Sequence, residues 1–279
     1  VPSSFDPSDA ADGAAEAAGV SVRPLRELGD ADRVSSLIGL VWGDQTLPRE
    51  LIRAFQHAGT VLLGAERGDE LVGFVFGFLG FEQGLHLHSH MLAVVPEHRS
   101  RGTGYALKLA QRAACLDLGI EEVRWTFDPL VARNARINLV KLGAVATRFL
   151  PGFYGEMRDQ LNRGDLSDRF EVRWRLESKR VEAAVRGEAT EPATGARLLE
   201  ATGDPDASRP SETGLRPSPG ALVQIPTDHL AIRRSDPDLG RVWREASGRA
   251  FAGCFSAGLV ATWLTEDGSY VFERVEDAG

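Results

Sequence analysis

The sequence predicts an α/β (α+β) fold, a sheet flanked by helices with a C-terminal α/β extension. Three observations predict it. Apolar residues alternate in some segments and recur at helical spacing in others, in turn along the chain. Gly68-Asp69 separates two apolar runs, TVLLGAER and ELVGFVFGFLGF, as a hairpin turn does. The glycine-rich segment RSRGTG, residues 99–104, leads from a strand pattern into a helical one.

The elements follow in order. Residues 1–20 are rich in Ala, Gly, Asp and Ser without apolar periodicity and are expected to form a disordered leader. VSVRPL reads as a strand. Val34, Leu37, Ile38 and Val41 share a helix face, and a second helix starts beside Pro48 and ends near Gly59. After the hairpin, LHLHSHMLAVV continues as a strand to Pro96. Leu107, Leu109, Ala110, Ala113, Ala114 and Leu118 predict a helix from Thr103 to Leu118. EEVRWTF is a strand, RNARINLVKLG a helix closed by Gly143, and AVATRFL and RFEVRWRL are strands. Residues 181–220, rich in Glu, Thr, Gly, Pro and Ser, read as a linker or surface excursion with one strand in ARLLEA. Residues 221–279 are expected to pack on the main domain, 21–180. They comprise a strand, ALVQIP, a helix from Asp236 to Ser256, and a hairpin of GLVATWLTE and GSYVFERV.

The 279 residues suffice for one large domain or two modest ones, and 43% hydrophobic with 26% charged content fits a globular protein. A net charge of −8 argues against sequence-independent nucleic-acid binding. Two cysteines, Cys115 and Cys254, make no disulfide framework, so a cytoplasmic setting is the expectation. The first nineteen residues show neither a basic n-region nor an apolar core, so no signal peptide is expected there, and no apolar run reaches membrane-spanning length.

RSRGTG carries chemistry of its own. A glycine turn entering a helix leaves several main-chain N–H groups pointing one way, and the helix dipole adds positive charge there. Such a place suits a phosphate or diphosphate. Gly102 and Gly104 would let the chain approach closely, and Arg99 and Arg101 would add charge-assisted contacts. The plain alternative is an ordinary loop beside solvated arginines. The absence of a GK[ST] ending excludes a Walker A loop, and the missing third glycine argues against a dinucleotide fingerprint.

With its flanks, this loop resembles the diphosphate motif of the GNAT superfamily of N-acetyltransferases: Gln or Arg, two residues, Gly, one residue, Gly or Ala. LAVVPEHR resembles the family's approach to the loop, and NARINLVKLGA resembles a second family motif, across roughly residues 21–177. The resemblance implies a GNAT fold, with a mixed, mostly antiparallel central sheet and a catalytic domain over 21–180. It implies acetyl-CoA, or another short acyl-CoA, as cosubstrate between the His86–Val95 strand and EEVRWTF. The pantetheine arm would pair with Leu92, Ala93 and Val94 and be steadied by Asn134. The diphosphate would rest on the amides of Ser100, Arg101, Gly102, Thr103, Gly104 and Tyr105, beside Arg99. A small-molecule amine is the expected acceptor, with no nucleic acid, no membrane, and a homodimer left open. LNRGDLSDRFEVRW and the C-terminal segment are similar to a longer bacterial branch of that superfamily.

His86, His88 and His90 alternate and would share one strand face. Such a face can be merely solvated, can hold zinc, or can take a proton from an ammonium substrate, since histidine titrates near ~6.5. No carboxylate or thiolate ligand stands nearby in sequence, which ranks zinc last. HSHMLAV resembles the HxHxLAV of arylalkylamine N-acetyltransferases, and that likeness implies base catalysis by His88, His90 or both. Leu139 stands where many GNAT enzymes place an acidic tyrosine. Tyr154 in PGFYG is the remaining candidate to protonate the thiolate, with packing in a turn as its alternative. Arg169 reads as holding a carboxylate on substrate or acyl group, pairing with Asp168, or lying at the surface. The rival functions are a non-catalytic acyl-CoA sensor or docking module, and a zinc hydrolase.

Overall fold

Asp6 accepts a hydrogen bond from the Ser8 amide, Pro7 opens the first turn, and α1 (Pro7–Ala18) follows where a disordered leader was expected. The helix ends on Gly19 at φ +65°. Its buried face is made of Ala11, Ala15 and Ala18, at helical spacing but too weakly apolar to register as periodic in the sequence. The computed structural model describes residues 6–43, 47–155, 166–204, 207–274 and 276; the first five residues of the expected leader and part of LNRGDLSDRF lie outside them.

The chain divides into two units, one running to Trp125 and one starting at Thr126. In the first, β1 (Ser21–Pro24), β2 (Val61–Arg67), β3 (Glu70–Gly80), β4 (His86–Val94) and β5 (Glu122–Phe127, which spans the boundary) lie side by side in that order. All pairs are antiparallel except β4–β5. That parallel pair requires a crossover, supplied by α4 (Thr103–Asp117). The hairpin at Gly68-Asp69 is as expected, with Arg67 opposite Glu70. α2 (Leu28–Trp42) starts on a Glu27/Asp30 capping box, and Arg23 ties Asp30 to Glu66 with contacts of 2.7 and 2.9 Å. α3 (Arg49–His57) begins after Pro48. α1 packs on α4 through Ala15, Ala18 and Ala106.

In the second unit, α5 (Ala132–Ala135) continues as a π-helix over Arg136–Lys141 and turns at Gly143, φ +68°. A Cβ there would lie 2.9 Å from the Arg180 carbonyl, so only glycine fits. β6 (Val145–Leu150), β7 (Arg169–Arg175), β8 (Arg197–Thr202), β9 (Arg209–Glu212), β10 (Ala221–Gln224), β11 (Leu259–Leu264) and β12 (Ser269–Arg274) form the order β7-β6-β11-β12-β10-β8-β9. Every pair given a register is antiparallel except β10–β8. α6 (Lys179–Val185), α7 (His229–Ser235) and α8 (Pro237–Ser256) complete it. Trp174, Trp243, Phe170, Phe251, Tyr270 and Phe272 are fully buried in this unit.

Two expectations change. The boundary near residue 180 is not where the chain divides, because β6 pairs with β11 at Ala146↔Ala261 and so shares a sheet with the C-terminal strands. Residues 181–220 are not a bare excursion: most of α6, β8 and β9 lie there, and β8 pairs with β10. Residues 205–206 lie outside the described ones. Among the described residues no helix is long and apolar enough to cross a membrane.

Candidate active site

α4 begins on Gly102, whose φ is +90° and which has no side chain to cap the helix. α1, α6, α7 and α8 are each capped by Asp6, Ser178, Asp228 and Asp236 in turn. The first turn of α4 has no acidic residue. Its leading amides, on Thr103, Gly104 and Tyr105, therefore keep the donor capacity and dipole field that an anion seeks. Ser100 also takes positive φ, +62°, an uncommon conformation for a residue with a side chain. Gly104 is not in that region; its role is closeness, since a Cβ there would sit 3.4 Å from Leu92 Cδ2. Arg99 Nε donates to the Val94 carbonyl at 3.1 Å, so this side chain also holds the loop against the end of β4. Arg101 is exposed, and Thr103 is buried.

The approach to the loop is a strand with two irregularities. β4 pairs with β5 at Leu87↔Val123 and His88↔Arg124, and among the described residues no further pair follows. From Ser89 onward the edge of β4 that faced β5 has no strand partner. Leu92, Ala93 and Val94 lie on that stretch, with Ala93 buried and Leu92 exposed. On the other edge, Gly77 faces Ser89 and Phe76 faces Met91, so His90 is the extra residue of a bulge.

His88 and His90 remain neighbours across the bulge. His88 and His90 have ring centroids 6.0 Å apart, and Phe78 lies 5.2 and 5.7 Å from them. Phe55 of α3 and Phe76 extend this aromatic shelf. His86 is placed differently: it is buried against Gly80, with Nδ1 2.8 Å from the Gly84 carbonyl oxygen. Burial, followed by repulsion from His90, His86 and Lys108, pushes His88 down to about 4. Burial also lowers His90. Both shifts favour the neutral imidazole, which has a nitrogen able to accept a proton but holds that proton less tightly than an ordinary histidine. Among the described residues no group of three or more His, Cys, Asp or Glu could hold a metal ion.

The other expected residues belong to the second unit. Asn134 lies in α5, its amide bonded to the Val131 carbonyl at 2.9 Å. Tyr154 has its hydroxyl 3.2 Å from Thr126 Oγ1, and the Arg169 guanidinium lies 5.3 Å from its ring centroid. Arg169 donates to the Asp168 main-chain oxygen at 2.8 Å.

The sequence of residues 30–144 matches the model of the acetyltransferase (GNAT) family. The chain carries a GNAT acetyltransferase domain. That domain runs from the first turn of α2 to just past the π-helix, and so includes the uncapped helix start, the parting of β4 from β5, and the histidine strand. No curated protein matches the chain. Solved structures similar to it include the ribosomal-protein-S18-alanine N-acetyltransferase of Escherichia coli, at 12% identity over 57% of this chain and 95% of that one, TM-score 0.46. Ard1 of Thermoplasma volcanium matches at 20% identity over 56% and 96%, TM-score 0.44. Naa50 of Arabidopsis thaliana, solved with a bisubstrate analogue, matches at 15% over 56% and 97%, TM-score 0.44. Likenesses this distant say nothing of substrate.

Sequence reading missed Lys108 and the Phe55–Phe76–Phe78 shelf. For Lys108 the sequence signal is one of position alone: it stands seven residues before Cys115, two turns away along α4.

Proposed function

We propose that this GNAT domain moves an acetyl, or related short acyl, group from acyl-coenzyme A to a primary amine, by direct attack within a ternary complex. The observation that carries it is the glycine-led, uncapped start of α4 standing directly after a strand edge that has lost its partner. Amides of Ser100, Arg101, Gly102, Thr103, Gly104 and Tyr105 would hold the diphosphate, with Arg99 and Arg101 adding charge. Leu92, Ala93 and Val94 would bind the pantetheine amides as an added strand binds a sheet edge, with Asn134 steadying the arm.

An ammonium must lose a proton before it can attack a thioester. His90, exposed and lifted by the bulge, is the better-placed acceptor, directly or through water, and His88 beside it stays neutral to relay the proton. The amine nitrogen bonds to the acyl carbon, the carbon–sulfur bond breaks, and the electron pair leaves on the thiolate. Tyr154 is the tyrosine proposed to protonate it; a thiol of pKa about 8.5 leaves adequately without help. Phe55, Phe76 and Phe78 would favour an acceptor with an apolar body next to its amine.

The test mixes acetyl-CoA with a panel of primary amines and follows free thiol. Thiol release that needs both substrates, and that falls in His90→Ala, is expected. Tight coenzyme A binding without release over a broad panel would favour the sensor instead.

A further inference from the structure

A lysine in the middle of a buried helix face is unfavourable, because taking an ammonium out of water costs several kcal/mol. Lys108 is only 5% exposed, with apolar Leu107 and Leu109 as sequence neighbours, and burial pushes its amine down to about 7. A methionine would fill the same space without that penalty. What the lysine adds is a set of contacts. Its Nζ donates to Ser89 Oγ at 3.1 Å and to Gln111 Oε1 at 2.8 Å, and it stands 3.7 Å from the ring centroid of Trp125.

Ser89 and Trp125 are not arbitrary partners. They directly follow His88 and Arg124, the last residues at which β4 and β5 pair. Where main-chain hydrogen bonding between the strands stops, one side chain from the helix beneath touches both. Ser89 is also the residue between His88 and His90, and its side chain is buried while that of His90 is exposed.

We propose that Lys108 is a positioning residue for acyl transfer: by bridging Ser89 and Trp125 at the parting of β4 and β5, it sets the gap between the strands and the seat of the two imidazoles. This rests on the acyl-coenzyme A reading above. Reacting atoms must come within about 3–3.5 Å in the right orientation, and a shift of about 1 Å can cost about a hundredfold in rate. A neutral methionine has the reach of lysine but no donor for Ser89. The diphosphate loop lies at the other end of β4 and does not need the bridge.

The test is Lys108→Met in the full chain. Thermal stability is expected to hold or rise, coenzyme A affinity by calorimetry to stay within about threefold, and kcat for thiol release from acetyl-CoA to fall at least about tenfold with KM for acetyl-CoA nearly unchanged. Amide exchange gives a second measurement that needs no acceptor. Acetyl-CoA should protect Met91–Val94 in the wild type, and in the variant should protect only residues 100–105. Wild-type kcat and wild-type protection in the variant would overturn the proposal. So would a joint loss of stability, affinity and rate, which marks a lysine that merely holds the core. Should the variant not fold, Ser89→Ala is expected to lower kcat several-fold at unchanged stability, and an unchanged kcat overturns the bridge. Absence of both heat and protection with the wild type would instead remove the acyl-coenzyme A reading, and this proposal with it.

Discussion

Each of the two units buries cations, and two of these, Arg244 and Lys108, are handled in opposite ways. Arg244 in α8 is 2% exposed and meets both oxygens of Asp128, at 2.7 and 2.9 Å. Asp128 also accepts from the Leu130 amide. Burial alone would raise this carboxyl, but the Arg244 contacts outweigh it and hold the group below the usual carboxylate range. Lys108 in α4 is held instead by a hydroxyl, an amide oxygen and an indole face, and its amine drops into the neutral range. A charge matched by an opposite charge fixes a core. A charge held by neutral groups loses affinity for its proton, and the core around it is less stable for carrying it. The comparison teaches that Lys108, beside the proposed chemistry, costs its surroundings stability that the carboxylate-paired Arg244 does not.

Substitution of Arg244 should show the largest effect on stability. Arg244→Leu removes both guanidinium contacts from Asp128 and leaves its carboxylate with the Leu130 amide and the charge of Arg169, and a loss of about 3–5 kcal/mol is expected in denaturant unfolding. Arg244→Leu with Asp128→Leu should recover much of that loss. A single variant as stable as the wild type would break the comparison.

His90→Ala comes next. It should lower kcat by about a hundredfold with unchanged melting, within the usual range for removing a general base. Because His88 and His90 lie below the ordinary histidine value, the acid limb of kcat/KM assigned to the enzyme should fall below pH ~6.5. The same groups tie stability to pH. Their folded values lie below the unfolded ones, so their contribution is complete above the ordinary histidine value of 6.5 and fades as pH falls towards about 4.

Gly102→Ala should weaken coenzyme A binding by roughly tenfold, since a Cβ at φ +90° is strained by about 1–2 kcal/mol and would also stand 3.5 Å from Ala18 Cβ. Lys108 sharpens the contrast through pH. Its folded value, about 7, lies below the ordinary lysine value of 10.5, so the unfolded chain binds the extra proton between them and stability should rise with pH across that window. Lys108→Met should flatten that slope, measured by unfolding at several pH values. Tyr154→Phe is the smallest change, expected to slow turnover only a few-fold.

Much of the first unit was legible. The Gly68-Asp69 hairpin, the Thr103 helix start and the strand ending before Pro96 each rest on local signals, a turn pair, a glycine and a proline, that act within a few residues. The glycine-led start of α4 was legible for the same reason. What was not legible depends on partners distant in sequence. α1 is a helix whose alanines gain their meaning only against Ala106, and the placing of β6 beside β11 cannot be read from either strand. The bulge at His90 falls in the same class, because it exists only in the register that β3 fixes. Lys108 was hidden by its chemistry: a lysine on an apolar stripe reads as a surface residue until Ser89 and Trp125 are seen around it.

The central claim is that the amides opening α4 hold the diphosphate of coenzyme A. Titration of the folded full chain with acetyl-CoA by calorimetry tests it most directly. A saturable heat, with a dissociation constant well below ~1 mM and weakened about tenfold by Gly102→Ala, is the predicted result. No heat at millimolar acetyl-CoA, from a chain whose fold is intact by circular dichroism, would contradict it.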